Sequence, residues 1–174
     1  GGFRFNRSRR KKAGKIKIRS QEAKIKIPRR GHIIKRKIEP DIQHQSVLVA
    51  RFINYVMRKG QKNTARKIVY EALVNAEKKL AKGSLEILEQ AVRNAGPEQE
   101  LRSRRIGGAN YQIPYPVSSE RRQALALRWI IGAAKSKKGK PMNEKLTQEL
   151  IDAFNSTGAA VKRKIDMHRM ADAN

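Results

Sequence analysis

The chain changes character at Pro40, and that break limits the possible folds more than any other feature. Sixteen of the first forty residues are Lys or Arg and two are Glu, which leaves a local charge of +14. The run Arg9-Arg10-Lys11-Lys12 and the alternations Lys15-Ile16-Lys17-Ile18 and Lys24-Ile25-Lys26-Ile27 are interrupted by Gly and Pro. So few apolar side chains cannot offset the entropy of ordering the segment by itself. Residues 1–40 are therefore expected to form a basic N-terminal extension, ordered only against a partner. A solvated targeting or solubility tail is the alternative, since transit segments are also Arg-rich and acid-poor.

Residues 41–174 hold the apolar periodicity of a folded domain. Val47, Ala50, Phe52, Ile53, Val56 and Met57 recur at steps of three and four, and Arg58-Lys59-Gly60 closes that segment as cations and Gly close a helix. Asn63 reads as the cap of a second helix with Ile68, Val69, Ala72, Leu73, Ala76 and Leu80 as its stripe, ending at Gly83. Ser84 reads as the cap of a third, carrying Leu85, Leu88, Ala91, Val92 and Ala95. Ser119 caps a fourth, with Ala124, Leu125, Leu127, Ile130, Ile131 and Ala134. A fifth begins at Pro141 and shows Met142, Leu146, Leu150, Ala153 and Phe154 on one face. A last helix after Gly158 carries Val161, Ile165 and Met170.

Between about 99 and 117 the period shortens, and Gly107-Gly108 separates the extended runs Leu101 to Ile106 and Ala109 to Val117, a hairpin signature. Pro114 and Pro116 require the second strand to be an edge or to stop near Ile113. With Arg102, Arg104 and Arg105 and few apolar residues, the hairpin is expected to protrude. The fold class is all-α: a bundle of about six helices with one protruding β-hairpin and a basic arm.

Function is bounded first by charge. The whole chain carries 41 Lys and Arg against 15 Asp and Glu, a net +26, which demands a partner dense in negative charge: nucleic acid, an anionic membrane face or an acidic protein. No apolar run approaches the roughly 18 residues of a bilayer span, and the helical apolar faces are needed for a core, so no membrane partner is expected. The absence of Cys removes disulfides, thiol nucleophiles and thiolate metal sites. His32, His44 and His168 form no ligand pair, and the acids read as exposed partners of Lys and Arg, so neither metal nor cofactor is expected. Ser118 and Ser119 sit where an N-cap belongs, with no His to activate them. No phosphate-binding Gly loop is present. An enzyme is not expected.

Basic residues cluster instead at 9–12, 29–37, 58–67, 102–105, 121–122, 135–140 and 162–164. Their scatter around a small body suits wrapping by folded RNA better than docking one helix in a DNA groove, with a DNA-compacting architectural protein as the alternative. Tyr111, Tyr115 and Trp129 do not read as a paired stacking platform, and Trp129 is expected in the core.

Several stretches resemble the bacterial and organellar type of the seventh small-subunit ribosomal protein family. Phe52-Ile53-Asn54-Tyr55-Val56-Met57, Gly60, Thr64-Ala65 and Ile68-Val69-Tyr70 are similar to its first two helices. Ser103-Arg104-Arg105-Ile106-Gly107-Gly108 and Tyr111-Gln112-Ile113-Pro114 resemble its hairpin. Arg121-Arg122 through Arg128-Trp129-Ile130 and the ending His168-Arg169-Met170-Ala171 resemble two later helices. The match spans about residues 28–174, leaving residues 1–27 outside it, and Gly60-Gln61-Lys62 departs from the Gly-Lys-Lys/Arg common in the family.

The resemblance implies a primary binder of the 3′ major domain of small-subunit rRNA that nucleates head assembly, beside the family's expected neighbours, small-subunit proteins nine and eleven. It implies a ribosomal location in bacterial cytoplasm or in an organelle. The cations expected on rRNA phosphates are Arg29, Arg30, Lys35, Lys37, Arg58, Lys62, Arg66, Lys67, Arg121, Arg122, Lys135, Lys137, Lys138, Lys140, Lys162, Arg163 and Lys164. Arg102, Arg104, Arg105, Gly107, Gly108 and Tyr111 are expected on the hairpin near exit-site tRNA and mRNA.

Overall fold

The computed structural model describes residues 37–174, so the basic extension, with Arg29, Arg30 and Lys35, lies outside the described residues apart from its last four positions. The described part is helical except for one hairpin, in the order α1 (Val47–Val56), α2 (Lys62–Leu80), α3 (Ser84–Ala95), β1 (Gln99–Ile106), β2 (Ala109–Pro116), α4 (Ser119–Ser136), α5 (Met142–Phe154) and α6 (Gly158–Ala173). The stripes read from the periodicity are largely the ones buried in α1 to α5, but not in α6, where Ile165 and Met170 are exposed and Ala160, Val161 and Ala171 are the residues turned inward. Val47 at the start of α1 is exposed as well. Phe52 and Ile53 of α1, Val69 and Leu73 of α2, Leu88 of α3, Leu127 and Ile130 of α4 and Leu146 and Leu150 of α5 lie in one core. Helix α5 is its axis, packing against α2, α3, α4 and α6. Trp129 is buried, with 5% of its surface exposed.

Helix ends depart from the expected ones by one to three residues, and local backbone bonds rather than capping side chains close them. No N-cap side chain binds its own helix: the cap positions are Ser46, Gln61, Gly83, Ser118, Pro141 and Thr157. Asn63 is thus inside the first turn of α2, Ser84 and Ser119 are first residues rather than caps, and Pro141 precedes α5. Helix α2 stops at Leu80, short of Gly83, where Ala81 takes the left-handed conformation (φ 50°) and its N–H reaches Glu77 O at 2.8 Å. Gly83 is instead the entry to α3.

Two helix ends are closed across the bundle. The Asn94 amide of α3 donates to the carbonyls of Ala153 and Phe154, both at 2.9 Å, satisfying acceptors at the end of α5 that have no partner within it. At the start of α6, the Ala160 N–H donates to Glu149 Oε1 at 3.1 Å. Glu149 sits on the apolar face of α5 and its side chain is wholly buried. A Cβ on Gly158 would lie 2.8 Å from Asp152 Cβ, at a φ of +89°. Only glycine can make that entry without strain.

The hairpin pairs in register from Gln99↔Pro116 to Ile106↔Ala109. Gly107 and Gly108 both have positive φ, 57° and 92°, as a mirror-image two-residue turn requires. The second strand does not stop at Ile113 but continues through both prolines. Being two residues apart, their missing N–H groups fall on one side of the strand, and a two-stranded sheet has an unpaired side to receive them. Every residue from Arg102 to Gln112 is exposed, so the distal hairpin projects from the body.

Candidate nucleic-acid interface

The turn between α1 and α2 reverses the chain through two positive-φ residues, Lys59 and Gly60, and presents Arg58 and Lys62 to solvent, with Lys67 exposed further along α2. Arg66 points elsewhere, 4.0 Å from the Asp41 carboxylate. That carboxylate also accepts the Tyr70 hydroxyl at 2.7 Å and the amides of Gln43 and His44, and is buried. Burial pushes the Asp41 carboxyl up, but the Tyr70 hydroxyl, the two amides and the Arg66 charge outweigh it and hold it below the usual carboxylate range. This knot fixes where residues 37–46 leave the body. Lys37 is exposed at its outer end.

The last turn of α4 presents Lys135, and the loop that follows it presents Lys138 and Lys140. Fold geometry brings the end of α4 beside the α1–α2 turn: Arg58 and Lys135, 77 positions apart in number, line one cleft of about 410 Å³ together with Lys145 of α5. Partial burial and then the Arg58 charge push the Lys135 ammonium below the usual lysine range. No acid lines this cleft. Two like charges held together without a counter-ion are what an anion site looks like before its anion arrives.

Lys137 differs from its neighbours. Its ammonium lies 2.8 Å from Glu149 Oε2 and 3.0 Å from Asp152 Oδ2. Burial lowers its pKa, and the two carboxylates more than reverse that, so it is held above the ordinary lysine value. Its role in this fold is to neutralise the buried acid that caps α6 and to pin the basic loop to the bundle.

The hairpin root shows the same division. Glu100, with 6% of its surface exposed, is gripped by Arg102 at 2.8 Å and by Arg121. The Arg121 bond pulls its carboxyl down, and with Arg102 it overcomes burial. Arg122 reaches Glu98 at 3.5 Å and packs so closely on Gly96 that a Cβ there would meet its Cγ at 2.9 Å. Beyond the root, Arg104 and Arg105 have no acidic partner among the described residues. The register places Arg104 across from Tyr111 and Arg105 across from Asn110, so the two arginines occupy opposite faces. Arg102 also lies over the Tyr115 ring at 5.3 Å.

On α6, Lys162 is exposed and has no partner among the described residues, Arg163 lies 5.6 Å above the Trp129 ring, and Lys164 donates to the Asn94 carbonyl at 3.1 Å. His168 Nε2 accepts the Glu98 N–H at 3.0 Å and ties α6 to the start of β1. Sequence reading missed Lys145, which reads as one more solvated helix cation, and Arg128, which covers Tyr55 at 5.5 Å. It also took the acids as surface partners, whereas Asp41, Glu100 and Glu149 are buried. Among the described residues no group of three or more His, Asp and Glu is arranged around a metal position, and no helix is long and apolar enough to cross a membrane.

These features define a class: a helical structural protein that displays unpaired cations in patches and on a projecting hairpin. The family model described as "Ribosomal protein S7p/S5e" matches residues 28–174. The chain belongs to that family, and it is accordingly a structural constituent of the small ribosomal subunit rather than an enzyme. The small ribosomal subunit protein uS7 of Chloroflexus aurantiacus is 54% identical over 148 residues, covering 85% of this chain and 94% of its own. That of Chloroflexus aggregans is 55% identical over the same length, and that of Thermosipho africanus is 53% identical over 139 residues, 80% of this chain and 90% of the relative.

Proposed function

We propose that the protein is a primary binder of small-subunit rRNA in the 3′ major domain, that it nucleates assembly of the subunit head, and that its hairpin reaches toward exit-site tRNA and mRNA. The supporting observation is the convergence of cations distant in sequence, Arg58 of the α1–α2 turn, Lys135 at the end of α4 and Lys145 of α5, on one cleft with no acid in its lining among the described residues. Such convergence gives a folded RNA a shaped cationic surface, where phosphate contacts position and RNA shape selects. Arg58, Lys62, Lys67, Lys135, Lys138, Lys140 and Lys162 are the body's free cations for this role, joined by Lys37 and, outside the described residues, Arg29, Arg30 and Lys35. Arg66, Arg121, Lys137, Arg163 and Lys164 act through the fold, holding buried acids, a ring and a carbonyl, and Arg122 packs on Gly96 and reaches the exposed Glu98. The kinship with bacterial proteins supports a bacterial ribosome, with small-subunit proteins nine and eleven as neighbours.

The test is binding to a fragment of the 3′ major domain across salt concentrations. With about eight phosphates neutralised, the log–log slope is expected at roughly −5 to −7. A flat salt response, or preference for duplex DNA in competition, refutes the reading and favours a DNA-compacting protein. Shortening residues 102–113 should leave rRNA affinity nearly intact while altering tRNA or mRNA handling at the exit site.

A further inference from the structure

The cleft between the α1–α2 turn, α2 and the start of α5 is unlike the other cationic surfaces because most of its wall is apolar. Val56, Ile68 and Met142 form its interior, and Arg58, Lys135 and Lys145 stand around it. Its volume of about 410 Å³ falls in the range of pockets that enclose small organic groups, roughly 300–1,000 Å³. A phosphate alone needs no apolar wall, and an apolar side chain alone needs no ring of cations. One group carries a flat apolar face and an anion together: a nucleotide.

We propose that this cleft receives a single unstacked nucleotide of the bound rRNA, its base against Val56, Ile68 and Met142 and its phosphate between Arg58, Lys135 and Lys145. This rests on the rRNA-binding reading above and deepens it. Sequence-specific RNA recognition targets bases splayed from the helix, which proteins hold by stacking on aromatic rings or guanidinium planes. Arg58, which lines the cleft, carries such a plane. Gln61, the cap position of α2, also lines the cleft and makes no side-chain cap bond. The depressed Lys135 has the same cause as the site itself, a partly buried cation facing another cation with no acid near. An acidic segment of a neighbouring protein is the competing occupant. The cleft's lining includes Arg58 and Lys135, two of the cations proposed to grip phosphates, which favours the RNA strand that they would hold.

The test fills the cleft without removing a charge. Thr64, exposed on the α2 wall, and Met142, on the α5 wall, are replaced separately by Trp in the full-length chain, and each variant is checked for unchanged thermal unfolding. Binding to a 3′ major domain rRNA fragment is measured across salt, with chemical probing of every base in the complex. Wild-type protein should protect one unpaired base that both Thr64→Trp and Met142→Trp release, with affinity lowered about tenfold by loss of that stacked base. The salt slope should stay at the wild-type value, since every cation remains. If both variants bind as tightly as wild type with no base released, or release different bases, the cleft proposal is overturned while rRNA binding stands. A cleft that takes an acidic protein segment gives that outcome. If wild-type protein fails to bind the fragment, both readings fall.

Discussion

Replacing Lys137 by Met should destabilise the protein although the side chain lies in a loop. Its partner Glu149 is completely buried, and taking one member from a fully buried ion pair costs about 3–5 kcal/mol, because the remaining charge is left in a poor dielectric. Lys137 keeps 33% of its side chain in water, so solvent screens part of the attraction, and the figure falls to about 2 kcal/mol. In a body of this size that corresponds to a fall of roughly 6 °C in Tm. The double variant Lys137→Met/Glu149→Met removes both charges and should regain most of the loss, less about 1 kcal/mol for the cap taken from the Ala160 N–H. Urea unfolding of the wild type, both singles and the double gives the coupling directly. The pH dependence carries the matching sign. The folded pKa of Lys137 lies above its ordinary 10.5, so its contribution is complete below pH 10.5 and fades as pH rises through the folded value. A Lys137→Met loss below about 0.5 kcal/mol, or a double variant no more stable than Lys137→Met, would falsify the assignment of Lys137 as the counter-ion.

Three further outcomes test the same framework. Tyr70→Phe removes a hydroxyl from the buried Asp41 carboxylate and should cost about 1.5–3 kcal/mol by denaturant unfolding, with unchanged secondary structure by circular dichroism. Glu100 and Asp41 have depressed carboxyl pKa values, so their stabilisation is present above their ordinary 4.5 and 3.8 and drains as pH falls through the folded values; acid titration of Glu100→Gln should show a smaller loss than wild type. Gly158→Ala meets both a positive φ and Asp152 Cβ at 2.8 Å, and should destabilise by about 1–3 kcal/mol; a neutral result in urea would mean that α6 can shift freely at its entry.

Helices α1 to α5 were legible because their apolar stripes have a period long enough to declare their type, and the hairpin because Gly107-Gly108 separates two extended runs; α6 was placed after Gly158, but of its expected stripe only Val161 is buried. The helix ends were less so, because Asn63, Ser84 and Ser119 read as caps but make no cap bond, and α2 closes through Ala81, a residue without a stop signal. What Asn94 does for the end of α5 and Glu149 for the start of α6 depends on contacts across the bundle. A signal for Glu149 did exist. It falls between Leu146, Leu150 and Ala153 on the buried stripe of α5, where an acid must find a cation. The cation clusters were visible as clusters, but not which members were free. Lys137 and Lys138 are adjacent in a basic loop, and only the fold turns one toward Glu149 and the other to water. The cleft was invisible for the same reason, since its walls come from segments that meet only after the bundle forms.

Among the described residues no further strand pairs with either outer edge of the hairpin, and an unpaired edge is an invitation to pair with any other strand. Arg102, Arg104 and Arg105 along one strand, with Pro114 and Pro116 on the other, are the standard deterrents: like charge repels a second copy, and a proline offers it no N–H. Between synthesis and incorporation into a particle, the arginines therefore act as guards against self-association. Neutralising them by substitution should shorten the life of the free protein in solution before it alters anything the assembled particle does.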